Sequence, residues 1–139
     1  MKKFASLLTV ILAAVGMMGA TQAAKAEAAA YPLKKISPQE VAVLLETQRP
    51  IAIIDVRSLP DFKAGHIPTA ESLPFELMMD AMTHTMIPDV NKVIVVYGAN
   101  DKMSKEAGQK LGDFGYKNVY YMPTFTEWVG EIVVIGPAK

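Results

Sequence analysis

The heptapeptide Gly98-Ala99-Asn100-Asp101-Lys102-Met103-Ser104 follows an apolar, β-branched run and precedes a segment of helical character. Loops of that kind sit at the carboxyl ends of strands in open α/β sheets, where such folds place their ligands. Successive backbone N–H groups and a helix N-terminus can together receive an anion there. Gly98, Asn100, Lys102 and Ser104 are the candidate anion-binding residues, and Lys102 is the loop's one cationic side chain. Asp101 is its one carboxylate, either a general acid or base in the cleft or a turn former. Ser104 reads as the N-cap of the following helix. A second group lies in ELMMDAMTHTM: Met78, Met82 and Met86 recur at i, i+4 and i+8, one stripe of a helix, with Met79 and His84 off it. Thioethers and imidazole suit Cu(I), and the same spacing suits adaptable core packing. The chain has no cysteine, which excludes thiol nucleophiles, thiolate ligands and disulfides.

These residues must be held by elements that 139 residues can build, which as a prior means one domain. Met-Lys-Lys, an uncharged apolar run from Phe4 to Ala20, and small residues with an Ala24-Lys25-Ala26 site describe a signal peptide over residues 1–26. The alternative is an uncleaved anchor, since the uncharged run extends to Ala24 and is just long enough to span a bilayer. A lipoprotein is excluded because no cysteine is present to carry the lipid. Residues 27–33 then read as a linker and 34–139 as the domain. Cleavage after residue 26 removes three of the 14 basic residues and no acidic one, leaving a net charge of −3. No basic patch interleaved with aromatics appears, so nucleic acid is not an expected partner. Contact with a membrane is expected only if the first segment stays attached.

Ser37-Pro38-Gln39-Glu40 combines a serine N-cap, a first-turn proline and a capping-box glutamate. Val41, Leu44 and Leu45 give that helix its apolar stripe before Arg49-Pro50 breaks it. IAIIDV (51–56), KVIVVYG (92–98) and NVYYM (118–122) read as strands buried on both faces, and AESLPF as a shorter one. Ser58-Leu59-Pro60-Asp61 starts a helix of about two turns that Gly65 can close. Phe75–Met86 reads as one helix, and another runs from Ser104 to about Phe114, ended by Gly115. Thr124-Phe125-Thr126-Glu127 starts one more turn under Trp128. Strands alternating with short helices predict an α/β fold with a parallel sheet covered on both faces.

Asp55-Val56-Arg57, Phe62, Gly65-His66-Ile67-Pro68-x-Ala70 and Leu73-Pro74 resemble the DVR…F…GHIPGA…IP signature of rhodanese-like domains. Val95-Val96-Tyr97, Phe114-Gly115-Tyr116, Asn118-Val119-Tyr120 and Trp128 follow in the same order and spacing, so the resemblance spans about Ile36 to Trp128. It implies a five-stranded parallel sheet in the order 1-5-4-2-3 with helices on both faces. In active members the loop after the fourth strand begins with a catalytic cysteine, in a pattern like C-x-x-G-x-R-S. Its nest of N–H groups lowers the thiol pKa, and its arginine adds bidentate recognition of an anion.

Position by position, Gly98 stands where the resemblance places the cysteine, Asp101 where it places the glycine and Met103 where it places the arginine. Pro123-Thr124 replaces the Gly-Gly that usually precedes the tryptophan. Asp55, Arg57, Gly65, His66 and Trp128 match structural family positions. Asp55 and Arg57 read as a hydrogen-bonded pair bracing the strand end, His66 as packed within the fold, and Trp128 as core or cleft wall. The expectation is an exported, periplasmic or envelope domain without sulfurtransferase activity and without a cofactor. It would bind an envelope protein or a small anion. A thiol-free enzyme using Asp101 and a Cu(I) site on the methionine stripe are the alternatives.

Overall fold

The computed structural model describes residues 32–136. The expected signal segment and most of the expected linker lie outside the described residues. β1 is Lys34–Lys35, α1 Pro38–Glu46, β2 Ile51–Asp55, α2 Leu59–Ala64, β3 Glu71–Ser72, α3 Asp80–Met86, β4 Val93–Tyr97, α4 Asp101–Asp113 and β5 Asn118–Met122. Single 3-10 turns occupy Phe75–Leu77 and Phe125–Glu127. All strand pairs are parallel and the order is β1-β5-β4-β2-β3, as the resemblance implies. Among the described residues, no helix is long and apolar enough to cross a membrane.

Successive strand residues point to opposite faces, so a strand covered on both sides must be apolar throughout. Ile53, Val95, Tyr97 and Met122 face one way and pack with Val41 of α1 and Phe62 of α2. Ile54, Ile94, Val96 and Tyr121 face the other way and pack with Ala107 and Leu111 of α4. Each fully buried isoleucine or valine contributes about 1.5–3 kcal/mol, which makes these alternating rows the main source of stability. β2, β4 and β5 run in step, with Asp55 beside Tyr97 and Tyr97 beside Met122. Their carboxyl ends are therefore level, and the loops that follow form one rim.

Both sequence-read caps on the first face are present. Ser37 Oγ accepts from the Glu40 N–H at 3.1 Å, and the Ser37 N–H donates to Glu40 Oε1 at 2.9 Å. That backbone bond to the carboxylate holds the Glu40 pKa below its ordinary value. Ser58 Oγ accepts from the Asp61 N–H at the start of α2, and Gly65 is its C-cap.

Two helix starts differ from the sequence expectation. The helix expected from Ser104 begins with Asp101, and its N-cap is Asn100, whose Oδ1 accepts from the Met103 N–H at 2.8 Å. Asp101 is thus the first helical residue, where a carboxylate suits the helix dipole. At the far end Gly115 has φ +102°, the left-handed conformation that glycine supplies most readily.

The helix expected over Phe75–Met86 is broken. Met78 and Met79 are extended, with φ/ψ of −72°/103° and −128°/149°, and α3 begins only at Asp80. Met78 is buried in the core, Met82 is exposed, and Met86 packs at the core margin. The three sulfurs therefore share no helical stripe, and the geometry expected for a Met78–Met82–Met86 site is absent. The reason lies in Thr83: it is the buried residue of α3, and its hydroxyl donates back to Met79 O at 2.8 Å. With that bond satisfied, a polar residue takes the inward position that methionine spacing claimed.

Candidate functional site

The level ends of β4 and β5 hold the loop that follows Tyr97 against the turn that follows Met122. Phe125 N–H donates to Gly98 O at 3.1 Å and Thr124 Oγ1 to Ala99 O at 3.0 Å. Ser104, fully buried, ties the loop from beneath. Its Oγ accepts the Gly98 N–H at 2.7 Å and lies 2.7 Å from Pro123 O and 3.0 Å from Asn100 O, either of which can take its proton. Ser104 is therefore a buried brace between two loops rather than the expected N-cap. Ser104→Ala leaves the Gly98 N–H and the Pro123 carbonyl without that partner, and should lower unfolding free energy by about 1–3 kcal/mol in urea titrations.

The four candidate anion-binding residues lie together at this rim, and each has an internal partner. The Gly98 N–H is bonded to Ser104, the Asn100 side chain to the Met103 N–H, and Lys102 Nζ to Glu106 Oε2 at 2.7 Å. Among the described residues, no acceptor meets the backbone N–H groups of Ala99, Asn100, Asp101 or Lys102.

Met103 closes the position in front of Gly98. A Cβ built on Gly98 would stand 2.8 Å from Met103 Cγ and 2.9 Å from its Sδ, far inside contact distance. Met103 is itself half-buried against the α4-side core. The thioether thus occupies the space that a side chain at position 98 would need.

The neighbouring rim is built for rigidity. Arg57 Nη2 donates to Asp55 Oδ2 at 2.7 Å and to Gly65 O at 2.6 Å, while its Nε reaches Asp55 Oδ1 at 3.0 Å. Burial works against the charged guanidinium, but the Asp55 carboxylate outweighs it and the Arg57 pKa is raised overall. The guanidinium carbon sits 4.0 Å from the Phe125 ring centroid, sandwiching Arg57 between Asp55 and an aromatic wall. Burial, followed by the Asp55 carboxylate, pushes the Tyr97 phenol well above its ordinary pKa, and its oxygen accepts the Ile67 N–H. His66 is buried, stacked on Phe62 at 3.7 Å, with Nδ1 donating to Phe62 O at 2.8 Å. Trp128 is half-buried at the cleft wall, and its Nε1 donates to Glu131 O.

The sequence model of the rhodanese-like domain family matches residues 37–131. The chain belongs to the rhodanese-like domain family. No curated protein matches it in sequence. Among solved structures it is similar to the rhodanese-like domain of an Anabaena sp. protein, at 24% identity, 78% of this chain, 87% of that one and a TM-score of 0.67. It is also similar to a human single-domain sulfurtransferase, at 23% identity, 70% of this chain, 96% of that one and a TM-score of 0.58. A third is an E. coli rhodanese solved with anions, at 24% identity, 60% of this chain, 96% of that one and a TM-score of 0.55. At these identities the likeness is one of fold. In this rhodanese-like domain the loop after β4 carries Gly98, Asp101 and Met103, the positions where the resemblance read from the sequence leads one to expect cysteine, glycine and arginine.

Two features of the site were not visible in sequence. The sequence favours Ser104 as the cap over Asn100, although Asn is a strong N-cap residue and Met103 follows it at the right interval. Nor did any motif signal the C-terminal segment, where Val133 pairs antiparallel with His66 and the Ile135 N–H donates to Lys63 O at 2.8 Å.

Proposed function

We propose that this exported rhodanese-like domain is a non-enzymatic binding module of the cell envelope, one that retains a weak backbone site for a small oxyanion but transfers no sulfur. The observation that carries the reading is Met103 lying across Gly98, with its Cγ 2.8 Å from the place of a Cβ. The nucleophile is missing, its space is filled, and the fold signature around it is whole. The unpaired N–H groups of Ala99–Lys102 and the α4 N-terminus favour an anion. Asp101 opposes it from the first turn, so affinity is expected in the millimolar range, about 4 kcal/mol. Export rests on the apolar run after Met-Lys-Lys and the Ala-rich stretch that follows it.

An amide NMR titration of the full chain with thiosulfate, then with phosphate, tests the anion site. Shifts centred on Ala99–Lys102 with both anions are expected. Saturable shifts that avoid these amides, or none at tens of millimolar, would remove the anion-binding half of the reading.

A further inference from the structure

At the amino ends of the strands, away from the rim just described, α1 and the sheet enclose an open apolar groove of about 510 Å³. That volume is within the range of small-molecule sites, about 300–1,000 Å³. Its walls include Ile36, Val43, Leu44, Ile51 and Tyr120, and Val43 remains 55% exposed on its lip although α1 turns Val41 fully into the core. One cation borders these apolar walls. Arg49 lines the groove, and among the described residues its guanidinium has neither an ion pair nor a hydrogen bond.

The chain is bent to bring it there. After α1, Gln48 takes a positive φ of 55°, and the Arg49 N–H turns back to Leu44 O at 3.3 Å. A non-glycine residue in the left-handed region is uncommon and is held by its surroundings. Glu40, the groove's one carboxylate, keeps its charge but is turned to the Ser37 N–H in the capping box and makes no ion pair with Arg49. A second cation stands near, with Lys34 Nζ 5.5 Å from the ring centroid of Tyr120.

We propose that this groove binds a linear aliphatic carboxylate, its chain along the Leu44–Ile51–Tyr120 wall and its head at Arg49. The apolar lining accounts for affinity and the unpaired guanidinium for the choice of charge. A ligand with no charge loses the second contribution, and a cationic one is repelled by Arg49 and Lys34.

The probe is decanoate, compared with decanol and with decyltrimethylammonium, titrated into the full chain with methyl and amide resonances followed by NMR. Decanoate should shift Val43, Leu44, Ile51 and Tyr120 saturably below its aggregation concentration, and bind several-fold tighter than decanol. Arg49→Glu, a change at an exposed side chain, should weaken decanoate about tenfold and leave decanol within about twofold. Val43→Glu should weaken decanoate similarly by adding a second carboxylate to the groove's lining, beside that of Glu40. Equal binding of decanol and decanoate, an Arg49→Glu protein that binds decanoate unchanged, or shifts confined to residues 1–31 would each overturn the proposal.

Discussion

Gly98→Cys by itself yields no thiosulfate-dependent sulfur transfer, whereas Gly98→Cys combined with Asp101→Gly and Met103→Arg yields a measurable rate. The single substitution puts a Cβ within 2.9 Å of the Met103 sulfur, so the new thiol must push Met103 aside or be turned out of the cradle. It also shares its loop with Asp101, whose negative charge in the first turn of α4 disfavours both a thiolate and an incoming anion. The triple variant clears the space, removes the charge and adds the planar donor set that an oxyanion needs. Electrostatic donors of this kind are worth about 10²–10³ in rate, so the triple variant should exceed the single by at least about a hundredfold in thiocyanate formation. Mass spectrometry after thiosulfate treatment should show one added sulfur on the triple variant alone. Equal rates for the two would mean that Met103 and Asp101 do not obstruct the site.

Arg57→Ala is expected to be the most damaging single change in the rim. Asp55 is fully buried, and the Arg57 side chain is only 9% exposed. Deleting the guanidinium leaves the buried Asp55 carboxylate with the backbone N–H of residue 57 but no countercharge, removes the bond to Gly65 O and empties the space over Phe125. Breaking a buried pair costs about 3–5 kcal/mol, a large share of the stability of a domain this size. Melting temperature should fall by on the order of 15 °C. Asp55→Ala should do similar damage, and the double variant should lose clearly less than the two single losses added together. Additive losses would show that the pair is not the brace its geometry describes.

The fold was legible where burial dictates composition. β2, β4 and β5 are apolar at consecutive positions because both faces are covered, and Ile54 and Val96 can be read as interior from sequence alone. β1 could not be read locally. It is two lysines, exposed at the sheet edge, and forms only because β5 offers backbone partners to Lys34 and Lys35. The methionine segment misled for a different reason: Thr83 satisfies its own hydroxyl and takes the inward position, so the apolar period no longer marks the buried face.

The site was legible in its losses but not in its contacts. That Gly98, Asp101 and Met103 replace an active triad of residues follows from alignment to a motif. That Met103 folds back over Gly98, and that Ser104 braces Gly98 to Pro123, depends on tertiary geometry with no local signature. The groove beside Arg49 is of the same kind, since Ile36, Leu44 and Tyr120 are distant in sequence and meet only when β1, α1 and β5 pack.

The central claim is that the occupied cleft has no sulfur chemistry left. The direct measurement is a thiosulfate-to-cyanide assay on the purified full chain, with Met103→Ala as the control. Thiocyanate at the level of the control and of buffer is the predicted result. Formation that exceeds the Met103→Ala control and scales with protein concentration would contradict it, and would mean that sulfur moves through this cleft without a cysteine of its own.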